Sequence, residues 1–295
     1  MRKRVVVIGA SGQLGRALFA EFQNKHDVTP TVHRLTAPGQ TAIDLAEPES
    51  AVEQIRSLRP DWILVAGAFC FVDLCETEQE SCLRVNVEGP KAIARYAREQ
   101  NCRVVYYSTD HVFDGSRPAN LEMGPVHPLN FYAQSKWAGE EALREALPDG
   151  HLILRTAWLY GMDEAKKNFI LRLIMSLSQR QRAMVPMDQW GSPTFTGDLA
   201  AVTRFLLEKG RSGTFHATGP DFVNRLELAQ QVCLAIGADP HLVQGVTTAE
   251  LNQKAKRPLK VRLDCRKLQE AGGPPFRSLK QGLEILKERL SAQTA

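Results

Sequence analysis

A tyrosine and a lysine four residues apart, Tyr132 and Lys136, stand in the run Asn130-Phe131-Tyr132-Ala133-Gln134-Ser135-Lys136. On a helix this spacing puts both side chains on one face, so an ammonium can sit near the phenol and stabilise its ionised form. Tyr132 then becomes a proton donor for a carbonyl undergoing reduction. The pair alone is a weak signal, because solvated partners at this spacing are common on surface helices. Two companions strengthen it: Ser108-Thr109-Asp110 upstream, and the loop Gly9-Ala10-Ser11-Gly12-Gln13-Leu14-Gly15 near the start. Thr109 would hydrogen-bond the substrate carbonyl while Tyr132 protonates the developing alkoxide. Lys136 would hold the ribose of a nicotinamide cofactor and depress the Tyr132 pKa. The hydride would come from that cofactor, leaving the protein to supply position and electrostatics, with no metal.

The elements that must position these residues alternate between strand and helix. Val5-Val6-Val7-Ile8 has the β-branched character of a strand buried on both faces, and Leu14, Leu18 and Phe22 mark a helix after the glycine loop. A strand ending near Val32-His33-Arg34, a helix over 49–58 and a strand at Trp62-Ile63-Leu64-Val65-Ala66 continue the pattern. Pro90 belongs in a first helical turn, with Ile93, Tyr96 and Ala97 extending an apolar face beyond it. Arg103-Val104-Val105-Tyr106-Tyr107 is a further buried strand that delivers Ser108-Thr109-Asp110 to its C-terminal end, where open α/β sheets bind ligands. His151-Leu152-Ile153-Leu154-Arg155 is another strand. The expected fold is α/β, a Rossmann-type doubly wound parallel sheet with a smaller C-terminal α/β substrate-binding lobe. The first unit is expected over 1–157, with a returning helix near 196–208 that opens at Gly197-Asp198-Leu199-Ala200. Residues 158–295 form mainly the lobe.

The glycine loop, directly after a strand and opening a helix, has the spacing of a pyrophosphate cradle. Gly9, Ser11, Gly12, Gln13, Leu14 and Gly15 are therefore cofactor candidates, joined by Ala66, Gly67 and Ala68 at the end of the Trp62 strand and by Tyr132 and Lys136. Cofactor choice is usually made after the second strand, by an acid for a ribose hydroxyl or a base for a 2′-phosphate. His33 and Arg34 stand there, with no carboxylate before Asp44, so NADPH is expected and NADH stays open. Asp44 and Leu45 fit an adenine-side contact.

Composition narrows the class. The chain has 295 residues, 43% of them apolar and 24% charged, which suits a globular protein with a sizeable core. Its net charge of +4, from 37 basic and 33 acidic residues, is too mild and dispersed to suggest nucleic acid. Cys70, Cys75, Cys82, Cys102, Cys233 and Cys265 show neither C-x-x-C nor metal spacing, and read as reduced thiols of a cytoplasmic enzyme. Met1-Arg2-Lys3-Arg4 before the first strand imitates a signal peptide, but the apolar run is too short and ends in the glycine loop. No segment approaches the ~18 apolar residues of a membrane span, and no membrane role is expected.

Further motifs complete a pattern in order along nearly the whole chain. They are Val72-Asp73 with Glu76, Ser108-Thr109-Asp110-His111-Val112-Phe113-Asp114-Gly115, Gly139-Glu140, Arg155-Thr156-Ala157-Trp158-Leu159-Tyr160, Asp188-Gln189-Trp190-Gly191-Ser192-Pro193-Thr194, and Arg257-Pro258 before Arg262-Leu263-Asp264. With these motifs the chain resembles the dTDP-4-dehydrorhamnose reductase family of the extended short-chain dehydrogenase/reductases. The resemblance implies reduction of a nucleotide-linked 4-keto sugar to its 4-hydroxyl, the last step toward dTDP-L-rhamnose. It implies a catalytic triad of Thr109, Tyr132 and Lys136, with Val72, His111, Trp158 and Arg257 around the sugar nucleotide. Phe69-Cys70-Phe71 departs from the family's Tyr or His then Thr, His111 replaces a tyrosine and Ala133 a glycine. Ala17 stands where some members carry a metal-binding glutamate that bridges a dimer, so no metal is implied and a homodimer stays open.

Two other readings stay open. A nucleotide-sugar epimerase shares the triad, although Asp188-Gln189 and Arg257-Pro258 favour the reductase; a dehydratase would need a carboxylate where His111 stands. A non-catalytic NADP-binding regulatory subunit, resembling the β-subunit of methionine adenosyltransferase, would keep the fold without turnover.

Overall fold

Alternating side chains of one short strand set up both sides of the molecule. Val5 and Val7 point into one apolar layer, Val6 and Ile8 into another. The computed structural model describes residues 1–35 and 40–294. Its first half runs β1 (Arg4–Ile8), α1 (Gln13–Phe22), β2 (Asp27–Val32), β3 (Thr41–Ala42), α2 (Pro48–Leu58), β4 (Trp62–Val65), α3 (Gln79–Leu83), α4 (Gly89–Gln100), β5 (Arg103–Thr109), α5 (Phe131–Ala146) and β6 (His151–Thr156). Then follow β7 (Leu159–Tyr160), α6 (Phe169–Ser178), β8 (Ala183–Pro186), β9 (Trp190–Gly191), β10 (Thr194–Phe195), α7 (Thr196–Glu208), β11 (Gly213–His216), β12 (Val223–Asn224), α8 (Arg225–Ile236), β13 (Val243–Val246), α9 (Arg266–Glu270) and α10 (Leu279–Thr294).

Seven strands pair in the order β11-β6-β5-β4-β1-β2-β3, all parallel. This is the doubly wound arrangement, with β1 and β4 meeting at the reversal of strand order. Leu14, Leu18 and Phe22 of α1 pack on one face with Leu199, Val202 and Leu206 of α7, while Ile55, Ile93 and Ala97 cover the other. Strand β11 and helix α7 both come from beyond residue 157, so the sheet layer takes in more of the chain than 1–157 and one returning helix. A separate apolar cluster of Ile170, Leu173, Leu228, Val232, Leu283 and Leu286 is the core of the lobe. Among the described residues, no helix is long and apolar enough to cross a membrane.

Pro90 opens α4, but the helical path starts well before it. Helix α3 leads through a π turn (Arg84–Glu88) directly into α4. Proline has no N–H to offer the carbonyl four residues back, that of Asn86. The Tyr106 hydroxyl donates to this carbonyl instead, at 2.8 Å. Helix α5 crosses at the same point with Gly139, where a Cβ would lie 2.3 Å from the Asn86 oxygen and 2.4 Å from the Tyr106 oxygen. Only a glycine lets the helix approach so closely.

Three contacts fix α5. The Asn130 side chain accepts from the Ala133 N–H at 2.8 Å as an N-cap, and Glu76 accepts from the Phe131 N–H at 2.8 Å. Fully buried Glu140 receives Arg155 of β6 through Nε at 2.9 Å and Nη2 at 2.7 Å. Burial opposes the Glu140 charge, but Arg155 and Arg144 more than offset it and hold the carboxyl below its ordinary range. Removing one partner would strand Arg155 in the interior. Glu140→Ala is therefore expected to lower unfolding free energy by about 3–5 kcal/mol in urea titrations; a loss under about 1 kcal/mol would show that the pair does not anchor α5.

Candidate active site

The C-terminal ends of β1, β4 and β5 open onto one cavity of about 1870 Å³ that continues into the lobe. From the glycine loop, Gly9, Ser11, Gly12, Gln13 and Leu14 line it; from the end of β4, Ala66, Gly67 and Ala68 do so. Thr109, His111, Tyr132 and Lys136 line the middle, and Val72, Trp158 and Arg257 the lobe side. Gly15 faces the loop instead, since a Cβ there would stand 2.2 Å from the Gly9 oxygen. Its role is the close packing of α1 against the loop.

The cradle suits a dinucleotide. Helix α1 has Gly12 as its N-cap and no side-chain cap, which leaves its first-turn N–H groups open to an anion in the cavity. Beyond it the wall is formed by Thr29, Val32, His33 and Thr41. Asp44 and Leu45, expected on the adenine side, are not among the residues of this wall. Leu45 is drawn into the core beneath Gly67 and Gly89, and Asp44 is engaged by His33 at 3.0 Å and by the Ala46 N–H at 2.9 Å. Strand β2 ends at Val32, within the expected span, and Arg34 is exposed without lining the cavity.

At the centre, burial dominates the electrostatics. It pushes the Tyr132 phenol well above the ordinary tyrosine value, an effect that the Thr109 hydroxyl only partly offsets. The expectation that Lys136 depresses this pKa is not met in the free protein. Lys136 Nζ lies 3.7 Å from the Tyr106 ring centroid, and burial pulls its own pKa down to about 7 against the attraction of Glu140. The phenol therefore holds its proton at neutral pH, and the lysine's hold on its own proton is weakened. Thr109 donates to Asp110 at 3.1 Å and accepts from the His111 N–H at 3.2 Å. Burial lifts Asp110 to about 6 and lowers His111 to about 3, so the imidazole is neutral. His111 packs edge-on to Tyr132, with centroids 5.9 Å apart, and its buried Nδ1 has no hydrogen-bond partner among the described residues.

On the lobe side, separate motifs meet. Arg257 pairs with Asp73 at 3.0 Å, and the Ala255 N–H bonds the same carboxylate at 2.9 Å. Asp188 accepts from Thr248, and Gln189 reaches Thr248 and Gln253 at 3.1 and 3.0 Å, which ties down the segment leading to Arg257. Trp158 holds a left-handed backbone, φ 43°, with its indole pressed on Gly191, where a Cβ would come within 2.5 Å of the ring. A strained aromatic of this kind persists only where its surroundings over-determine it.

Sequence reasoning missed Arg225, whose guanidinium stacks 3.7 Å over the Trp158 ring. It also missed the links below the site: Asn86 bonds both the N–H and C=O of Phe69 and donates to Ser135 at 3.0 Å, between Tyr132 and Lys136. The capping-box spacing of Asn224 and Glu227 could have placed Arg225 in a first helical turn. Nothing in the sequence indicates which way Arg225 points. Cys70 and Phe71 of the divergent loop line the cavity; Phe69 packs edge-on against Phe71 at 6.3 Å.

Residues 2–291 match the family model for the RmlD substrate binding domain. A dTDP-4-dehydrorhamnose reductase of Streptomyces griseus is 34% identical, covering 96% of this chain and 92% of its own. A dTDP-4-keto-6-deoxy-D-glucose reductase of Streptomyces niveus is also 34% identical, covering 94% of each chain. The crystal structure of dTDP-4-dehydrorhamnose reductase from Bacillus anthracis in complex with NADP superposes with a TM-score of 0.89 at 29% identity, over 98% of this chain and 100% of that one.

The position of Lys136 near pH 7 sets a pH dependence. Its ammonium is present below that value and is lost as pH rises through it. Affinity for NADPH is expected to fall between about pH 6.5 and 8.5 in the wild type, and much less in Lys136→Met, when measured by calorimetry. Equal slopes would place the titrating group elsewhere.

Proposed function

The chain belongs to the dTDP-4-dehydrorhamnose reductase family, and on that premise we propose that it reduces the 4-keto group of dTDP-4-dehydro-L-rhamnose to give dTDP-L-rhamnose, with NADPH. The supporting observation is a single cavity that runs from the glycine loop, past Thr109, Tyr132 and Lys136, to Trp158 and Arg257. Bound NADPH supplies a hydride. The chain's own residues handle the oxygen and its proton.

In the reductive direction the useful state of Tyr132 is the neutral phenol, and burial keeps it in that state. As negative charge grows on the carbonyl oxygen, the phenol becomes the nearest acid and gives up its proton. The ammonium form of Lys136, four residues on along the same side of α5, offsets the phenolate that remains. Thr109 presents its hydroxyl at the end of β5, held by the Asp110 and His111 contacts, to orient the carbonyl. Neutral His111 faces the pocket as a hydrogen-bonding group for the sugar, and Arg257, steadied by Asp73, is a cation for the nucleotide moiety. Arg34, exposed just past β2, is the residue we assign to the cofactor 2′-phosphate.

The test is NADPH oxidation with dTDP-4-dehydro-L-rhamnose, followed by identification of the sugar product. The relative named for a 4-keto-6-deoxy-D-glucose is equally similar, so the corresponding dTDP-sugar is assayed in parallel. Formation of dTDP-L-rhamnose supports the proposal; turnover of only the glucose-derived substrate would reassign the sugar, and no turnover of either would remove the reductase reading. Tyr132→Phe keeps the ring and removes the proton, so kcat is expected to drop ~10²-fold or more with NADPH affinity nearly intact. Near-normal turnover in that variant would exclude Tyr132 as the donor.

A further inference from the structure

Among the described residues, Arg225 is a cation that no carboxylate contacts directly. Its side chain makes no hydrogen bond or ion pair among the described residues, although its backbone N–H is engaged by the Gln189 carbonyl at 3.0 Å. The guanidinium lies 3.7 Å from the Trp158 centroid and 4.8 Å from that of Phe169, so two aromatic faces carry it and its N–H edges stay uncommitted. Burial lowers its pKa to about 9. Two more arginines, Arg172 and Arg257, push in the same direction, and Asp110 opposes them. Arg257 already has a carboxylate in Asp73, and Asp110 is itself buried and raised to about 6. All three arginines line the cavity.

Such an arrangement is costly in the empty protein. A half-buried guanidinium that faces a cavity binds best through its fork to a carboxylate or a phosphate. Here the protein provides stacking and like charge in place of a counter-ion, which leaves the anion to the ligand. Two anionic groups could come to this cavity, and each has a separate place. The uncapped start of α1 serves the cofactor pyrophosphate. Arg225 belongs to α8, in the lobe, and stacks on Trp158 rather than facing the glycine loop.

We propose that Arg225, with Arg172 beside it, grips the diphosphate of the nucleotide-sugar, and thereby makes the site select nucleoside diphosphates over nucleosides. This deepens the proposed function and rests on it. Stacking on Trp158 fixes the guanidinium plane, so the fork is oriented before the ligand arrives. It also couples phosphate capture to the strained indole that borders the sugar.

Calorimetry with dTDP and thymidine as probes tests the assignment on the full chain. Arg225→Met is expected to weaken dTDP binding by about 30-fold or more while leaving thymidine and NADPH affinities within about threefold, as for loss of one charged partner in a cavity. Arg225→Lys keeps the charge but loses the fork, and an intermediate loss is expected. If dTDP binding survives in Arg225→Met, or if thymidine weakens by the same factor, Arg225 only props Trp158 and the assignment fails. The outcome separates from that of the reductase reading. A wild type that binds dTDP through Arg225 but reduces no dTDP-keto sugar retains the subsite and loses the activity. A wild type that turns over, with KM unchanged in Arg225→Met, retains the activity and loses the subsite.

Discussion

A buried ion pair, Glu140 with Arg155, determines where the chemistry can happen. Glu140 lies one turn beyond Lys136 and two beyond Tyr132, so the pair that locks α5 onto β6 also sets the height and rotation of both side chains. The same strand controls the third member of the triad. Arg155 is in register with Ser108, and Thr156 with Thr109, so β6 aligns the end of β5 while holding α5. Glu140 has an electrostatic effect as well, because its charge resists the loss of the Lys136 proton. Buried ion pairs add little stability over a packed apolar contact, but one that is broken leaves a stranded charge. The pair thus acts chiefly as a geometric constraint on α5.

Around that constraint the backbone is brought unusually close. Pro90 frees the Asn86 carbonyl, Tyr106 takes it, Gly139 lets α5 rest on both, and the Tyr106 ring receives the Lys136 ammonium. Asn86 then bonds the Phe69 backbone and the Ser135 hydroxyl, which joins the divergent Phe69-Cys70-Phe71 loop to the catalytic helix. On the lobe side the logic is similar. Gly191 makes room for Trp158, Asp188 and Gln189 hold the segment before Arg257, and the segment brings that arginine to Asp73.

Much of this was legible from residue types alone. The strand and helix alternation, the glycine loop and the Tyr132 to Lys136 spacing depend on local chemistry and short periodicities, which a sequence displays directly. Elements whose form depends on distant partners were not legible. The helix beginning at Gln79, ahead of Pro90, relies on a π turn whose orphan carbonyl is satisfied from β5. Leu45 lies in the core and Asp44 is held by His33 and the Ala46 N–H, partners that residue order alone does not reveal. Arg225 has no motif of its own, and its meaning comes from Trp158, a residue 67 positions earlier by the numbering of the chain. The depressed phenol pKa expected from the Tyr132 to Lys136 spacing failed because spacing conveys proximity but not burial, and burial is the larger influence on both groups.

The central claim is that the free protein stores a neutral phenol and a weakened ammonium, so that Tyr132 acts as an acid rather than as a preformed phenolate. The direct measurement is a pH titration of ring-¹³C-labelled tyrosine by NMR in the free protein. The five tyrosines are separated by a difference spectrum against Tyr132→Phe. The expected result is a Tyr132 signal that stays protonated past the ordinary tyrosine value of about 10. A Tyr132 signal that titrates near neutrality, with no ligand present, would contradict the account and return the lysine to its simpler role beside the phenol.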